Sequence, residues 1–428
     1  MNIHPAQSVQ GRLQIPGDKS ISHRAALIAS LASGASTINN FSTALDCAST
    51  LSCLEQLGVR LERTGNTVQI EGGAKFRQPE SALDCGNSGS TMRILAGVLA
   101  GQDFSCELTG DNSLNQRPMD RIIQPLELMG AKFDSQGGKP PLTIHGSGTI
   151  KPITYELPIA SAQVKSAILF AGLGAHGRTQ VKESSPSRDH TERLFNGFGV
   201  TVKTDEDLLV TLDGPAQLIG GDITIPGDVS SAAYFVAAAM LLPGSELIID
   251  GIGLNPTRAE FLSVLSSWGG DISTEGIHQE RNEPVGAVRV RGGLQPNSGS
   301  ERRLEKSKIP SVIDELPLLA VVGSQIDGGI EIRDAGELRH KESDRLRATA
   351  DNLRRMGTEV EEHSDGLTIS GPTKLKGASL DSFGDHRIAM AFTVAALIAD
   401  GPTEIANAEC VNISLPEFFQ LLNSIVVR

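Results

Sequence analysis

The chain holds 428 residues, with 38 Lys and Arg against 51 Asp and Glu for a formal charge of −13, and it carries 46 Gly, 5 Cys, 2 Tyr and 1 Trp. That length exceeds one ordinary core and calls for two or more domains, while an acidic chain so poor in aromatic rings lacks the basic stripe and stacking platforms of a nucleic-acid binder. The longest apolar runs, Ala232 to Leu242 and Ile388 to Ala399, fall short of the roughly 20 residues that span a bilayer, so neither nucleic acid nor a membrane is expected as a partner.

Taken from the N-terminus, MNIHPAQSVQGRLQIPGDKS has no apolar secretory core and patterned sequence begins by Leu13, so a cytoplasmic location is expected. An Ala-rich helix, AALIASLA, follows. A pattern then recurs down the chain: a helical stretch, a Gly, and a strand, as EQLGVRLE, LELMGAKFD, FNGFGVTVK, SSWGGDIST and LRRMGTEVE. Its glycines, Gly58, Gly130, Gly199, Gly269 and Gly357, lie 72, 69, 70 and 88 residues apart, and LLNSIVV offers a degenerate sixth copy with Asn423 at the Gly position. Gly or Asn there predicts a left-handed helix C-cap. A second series runs in phase with the first. Polar loops PGDKSISHR, CGNSGSTMR, ASAQVK, PGDVSS, PSVIDE and FGDHR each open an apolar helix such as YFVAAAMLL, and alternating segments NTVQIEG, PLTIHG, LLVTLDG, AVRVRG and GLTISG read as strands. Six units of about 70 residues account for nearly the whole chain.

IPGDKSISHRAALIASL at Ile15 and IPGDVSSAAYFVAAAML at Ile225 match most closely and stand three units apart. An α/β protein of two similar domains is therefore expected, one of residues 17–227 and the other of 1–16 plus 228–428. A cleft between them is the default site.

Helix-opening loops favour anions through free N–H groups and the helix dipole. Nine cations stand in or near such loops: Lys19, Arg24, Arg93, Arg117, Lys165, Arg188, Lys341, Arg345 and Arg387. Any one would ordinarily be a solvated surface charge, but their recurrence suits a ligand with several phosphate or carboxylate groups. GDKS lacks the GxxxxGK[ST] spacing of a P-loop, and GLGAHG reads as a helix stop. In HKESDRL, Lys341 and Arg345 fall four apart, as on one helical face, with Glu342 three before Arg345; a salt-bridged solvated face is the plain alternative. In IDELP, Asp314 opens an apolar helix, where an acid is commonly a cap or dipole partner, and it is also a candidate chemical group. Two carboxylates in an anion-binding cleft can divide base and acid roles. Cys47, Cys53, Cys85, Cys106 and Cys410 form no CxxC pair and the histidines no HExxH, so reduced thiols and no metal are expected.

PGDKSISHRAALIASL, GNSGSTMR, RPM, SAQVKSA, SRDHTE, NPTR, IDELP, HKESDRL and GDHRIAMAF together resemble the EPSP synthase (3-phosphoshikimate 1-carboxyvinyltransferase) family from Pro16 to Pro416, and SAQVK, RDHTE and NPTR resemble its divergent bacterial branch. The resemblance implies two domains of three βαβαββ-type units each, an inside-out α/β barrel, closing on substrate. By similarity, Lys19, Ser20, Arg24, Ser161, Ala162, Gln163, Arg188, Asp314 and Lys341 would hold shikimate 3-phosphate. Lys19, Gly89, Arg117, Gln163, Arg345 and Arg387 would hold phosphoenolpyruvate. Asp314 would be the base, Glu342 the acid and Lys19 a stabiliser of developing charge, with no metal or organic cofactor.

The family also implies glyphosate as an inhibitor. Gly89 stands where bulkier residues are associated with tolerance while the branch-type motifs lean toward tolerance, so intermediate behaviour is expected. Ile413 replaces a phosphate-contacting Lys of the better-known branch. Two rivals remain open. The sister enzyme acting on UDP-N-acetylglucosamine carries a reactive Cys where Asn112 stands here, and a non-catalytic anion-binding protein would share the repeats. A monomer is expected, because no heptad run or isolated apolar segment demands a partner.

Overall fold

The computed structural model describes residues 1–295 and 302–428, which form two compact units. One comprises Pro16–Pro226 with Gln279–Glu283; the other comprises Met1–Ile15, Gly227–His278 and Pro284–Arg428.

The first unit has three four-stranded sheets of one design. In one, strands run in the order Leu83–Asp84, Ser105–Thr109, Leu142–His145, Lys132–Asp134; the outer short strand is parallel to its neighbour and the other pairs are antiparallel. A parallel pair requires a crossover, supplied by the helix Gly89–Ala100. The second sheet repeats this with Thr154–Glu156, Gly177–Lys182, Leu209–Gly214 and Val202–Thr204 around helix Ala162–Gly172. In the third, Ile223–Thr224 fills the short parallel position beside Gly34–Asn39.

The second unit has the same plan with exchanged strands. Arg303–Leu304, Ile330–Ile332, Gly366–Ile369 and Val360–His363 make a regular sheet. Ser8–Gln14 lies parallel to Glu246–Gly253 and antiparallel to Val426–Val427 in a five-stranded sheet. Asn2–Ile3 completes a three-stranded sheet beside Thr403–Ala406.

In each unit the apolar helices are enclosed, while others such as Asp120–Leu128 bury one face only. Strands alternate buried and exposed positions, as in Thr67–Gly72, whereas all twelve residues of His386–Leu397 are buried. A helix enclosed on every side must be apolar on nearly every side, which is why Ala, Val, Phe, Met and Leu fill most of Val229–Leu241. Small residues also let such helices approach closely. A Cβ on Gly97 would stand 2.1 Å from the backbone oxygen of Ala167, so Gly97→Ala is expected to destabilise the protein by about 1–3 kcal/mol, read as a lowered urea midpoint; an unchanged midpoint would refute this packing.

The five repeat glycines adopt the left-handed conformation expected of them, with φ of 86, 113, 88, 99 and 96° at Gly58, Gly130, Gly199, Gly269 and Gly357. Asn423 does not. It lies within helix Phe418–Ile425, which runs directly into Val426–Val427. The sixth unit has no helix–Gly–strand turn because its last sheet position is taken by Asn2–Ile3, leaving Val426–Val427 free to join Ser8–Gln14.

Candidate active site

In the Pro16–Pro226 unit, three helices begin at candidate residues. Lys19–Leu31 is capped by Asp18, whose Oδ1 accepts from the Ile21 N–H at 2.8 Å; Gly89–Ala100 is capped by Ser88 and Ala162–Gly172 by Ser161. A carboxylate cap already supplies the negative charge that a helix N-terminus favours, whereas the two serine caps are neutral.

Lys19 Nζ donates to Asp46 Oδ2 at 2.9 Å, with a fifth of the lysine side chain exposed. Arg24 is almost enclosed: Nε donates to Thr191 Oγ1 at 2.7 Å, Nη1 to the Ser20 carbonyl at 2.9 Å and Nη2 to Ser166 Oγ at 2.9 Å. Burial lowers its pKa to about 10, and repulsion from Arg188 adds to the shift against the pull of Glu192 and Asp18. Gln163 ties two helix starts together, accepting from Arg93 Nη1 at 2.8 Å and donating to Ser90 Oγ at 2.9 Å. A Cβ on Gly89 would meet Arg93 Nη1 at 2.7 Å and Arg117 Nη1 at 3.5 Å, so this glycine lies against both guanidiniums. Arg117 Nη2 also donates to Asn87 Oδ1 at 3.0 Å.

Lys165 is not one of the exposed cations that its loop suggests. It is 1% exposed and sits between Glu183 and Glu192.

His23, beside Arg24, is buried with Nδ1 2.7 Å from Thr50 Oγ1. Desolvation lowers its pKa to about 3, below the value of about 6.5 expected when unfolded. The unfolded chain therefore binds the extra proton between these limits, and stability falls as pH drops from about 6.5 toward 3. His23→Gln should reduce the slope of unfolding free energy over pH 4–6 by about 1.4 kcal/mol per pH unit; an unaltered slope in urea titrations would rule this out.

In the other unit, Asp314, Glu342, Arg345 and Arg387 come together in one ion-pair cluster. Arg345, 2% exposed, donates through Nε to Asp385 Oδ2 at 2.8 Å and through Nη2 to Glu342 Oε2 at 2.5 Å, and Nη1 lies 3.5 Å from Asp314 Oδ1. Arg387 donates to the Asp314 carbonyl at 3.0 Å and to Glu315 Oε1 at 3.3 Å, and its Nη2 is 3.6 Å from Asp314 Oδ2. Burial opposes both charges, but Asp385 and Glu342 around Arg345, and Asp314 around Arg387, outweigh it and hold the guanidiniums more firmly protonated than usual.

Asp314 does not cap the following helix. Leu316–Gly323 has no side-chain cap, and Asp314 faces three arginines, since Arg258 Nη1 also lies 3.8 Å from its Oδ2. Lys341 and Arg345 do not share a helical face either. The helix starts at Arg345, capped by Asp344, because an N-cap Asp suits the turn after the bend at 341–343. Lys341 pairs with Glu337 at 3.3 Å instead.

Sequence reasoning missed Arg258, Glu315, Asp385 and Asp46. Arg258 lies in the quoted NPTR motif and Asp385 in GDHR, so the signal was adjacent; Asp46 is distant from Lys19 in the chain, and no spacing rule links them.

The fold is shared with the structure of the enolpyruvyl transferase NikO from Streptomyces tendae, which superposes with a TM-score of 0.81 at 18% identity, covering 99% of this chain and 96% of that one. EPSP synthase from Acinetobacter baumannii superposes with a TM-score of 0.89 at 38% identity, covering 100% and 98%. Proteins named 3-phosphoshikimate 1-carboxyvinyltransferase from Koribacter versatilis and Geobacter sp. are 48% and 45% identical over 430 residues, covering all of this chain and 99% of each relative. The model of EPSP synthase (3-phosphoshikimate 1-carboxyvinyltransferase) matches residues 3–422, and the chain belongs to that family.

Proposed function

We propose that this chain transfers the enolpyruvyl group of phosphoenolpyruvate to the 5-hydroxyl of shikimate 3-phosphate, releasing phosphate by addition and then elimination. The observation that supports this most is the gathering of Asp314 and Glu342 around Arg345, in a chain 48% identical to a relative of that name over its full length.

Asp314 accepts the 5-hydroxyl proton as that oxygen adds to the central carbon of phosphoenolpyruvate. Glu342 gives a proton to the methylene carbon, forming a methyl group and a tetrahedral intermediate. On elimination Glu342 takes a methyl proton back as the carbon–oxygen bond to phosphate breaks, and the proton held by Asp314 passes to the released phosphate. Lys19 offsets the developing negative charge, and fixed cations offset the repulsion between two polyanions. Lys19, Ser20, Arg24, Ser161, Ala162, Gln163, Arg188, Asp314 and Lys341 hold shikimate 3-phosphate; Lys19, Gly89, Arg117, Gln163, Arg345 and Arg387 hold phosphoenolpyruvate. For Arg345 and Arg387 the substrate carboxylate or phosphate competes with Glu342 and Glu315, which now occupy their nitrogens.

In this reading residues 17–227 and 1–16 plus 228–428 are the functional domains, and the enzyme is a cytoplasmic monomer in which glyphosate competes with phosphoenolpyruvate beside Gly89. No helix among the described residues is long and apolar enough to cross a membrane. Phosphate release should occur with phosphoenolpyruvate plus shikimate 3-phosphate and not with UDP-N-acetylglucosamine. Release with the nucleotide sugar alone, or with neither acceptor, would overturn the assignment.

A further inference from the structure

We propose that Lys165 is a positioning residue for the shikimate 3-phosphate site, clamping the Arg188 loop and the start of the neighbouring helix onto the helix that opens with Ser161, Ala162 and Gln163. This rests on the substrate reading above. Lys165 lies in the first turn of Ala162–Gly172, with its backbone N–H donating to the Ser161 carbonyl at 3.0 Å. Its Nζ stands 2.6 Å from Glu183 Oε2 and 2.7 Å from Glu192 Oε1, and the three side chains are 1%, 3% and 7% exposed.

The two glutamates bracket one loop. Glu183 directly follows strand Gly177–Lys182, Glu192 lies in the first turn of His190–Gly197, and Arg188 is carried between them. Glu183 also accepts a hydrogen bond from Ser187, the residue before Arg188. A second rung runs alongside: Ser166 Oγ is 2.6 Å from Thr191 Oγ1, and Arg24 donates to both hydroxyls. One ammonium thus fixes the spacing of three pieces, two of which carry proposed substrate contacts, and through Thr191 on the third it steadies Arg24.

Enclosure argues against Lys165 as a ligand itself. Stability alone explains the triad poorly, because apolar side chains of similar volume commonly replace buried ion groups at no cost. Burial opposes the lysine charge, yet Glu192 and Glu183 outweigh it and keep the ammonium protonated.

The test is the charge-free variant K165M/E183Q/E192Q, which leaves no buried ion unpaired. Titration with shikimate 3-phosphate alone should show affinity weakened by at least about tenfold, as displacement of binding groups by a fraction of an ångström would cause. KM for phosphoenolpyruvate at saturating shikimate 3-phosphate should rise much less, since of its proposed contacts only Gln163 lies on a clamped piece. An unchanged affinity in the folded variant would overturn the proposal, and so would a parallel rise of both KM values with a lowered urea midpoint. If the triple variant does not fold, E192D, which keeps every charge and shortens one tether, should raise KM for shikimate 3-phosphate selectively; an equal effect on both substrates refutes the role. A parent chain that fails to bind shikimate 3-phosphate removes the substrate reading, whereas binding by the parent that persists in the variant removes only the clamp.

Discussion

Asp314→Asn is expected to lower kcat by about 10²- to 10⁴-fold, the ordinary contribution of a positioned proton acceptor, while the protein stays folded. The amide keeps the size of the side chain but cannot take a proton from the 5-hydroxyl. Its surroundings make the change informative, because Arg258, Arg345 and Arg387 all face this one carboxylate at 3.5–3.8 Å. Removing the charge leaves those guanidiniums with Asp228, Glu342, Asp385 and Glu315 as partners, so collapse of the cluster is not the expected outcome. Steady-state rates at saturating levels of both substrates check this, and a loss smaller than about tenfold would remove Asp314 from the base role.

Arg345→Met should cost about 3–5 kcal/mol of stability, besides losing the phosphoenolpyruvate contact proposed for it. Asp385 is fully buried, with Arg345 donating to both of its oxygens. Without the guanidinium, that carboxylate loses its cation and keeps the Arg387 N–H at 2.9 Å and Ser343 Oγ at 3.1 Å, and Glu342 loses its closest cation as well. Paired with Asp385→Asn, the methionine variant should recover much of the loss, because the uncompensated charge is gone. Urea denaturation of the two variants decides it; a single variant as stable as the parent would show that the pair is not structurally coupled.

Much of the fold was legible because its cause is local. Glycines at a left-handed turn recur with the unit length, and helices enclosed on every side must be apolar nearly throughout, so Gly58 to Gly357 and the Ala-rich segments mark the repeats directly. The site was legible only in part. A cation next to a helix start looks the same in sequence whether it faces ligand or core: Lys165 is distinguished from Arg188 by Glu183 and Glu192, which meet it only after folding. Lys341 and Arg345 looked like neighbours on a helix because spacing alone does not reveal that Asp344 begins the helix between them. Asp314 could be read as a cap until its three arginines, drawn from two other segments and from Arg345, were placed around it.

The exchanged strands set an order of assembly. Residues 16–226 contain every strand of their three sheets, so this stretch can complete its sheets early in synthesis. Asn2–Ile3 and Ser8–Gln14 are made before that stretch, yet their partners, Thr403–Ala406, Glu246–Gly253 and Val426–Val427, all follow it. Ser8–Gln14 must therefore stay unpaired until Glu246–Gly253 is made, and Asn2–Ile3 until Thr403–Ala406 is, and closing these long loops carries the entropic cost of pairings far apart in sequence. A chain stopped short of Thr403 would strand Asn2–Ile3 with an open edge, while the Lys19, Arg24 and Arg188 half could already be in place.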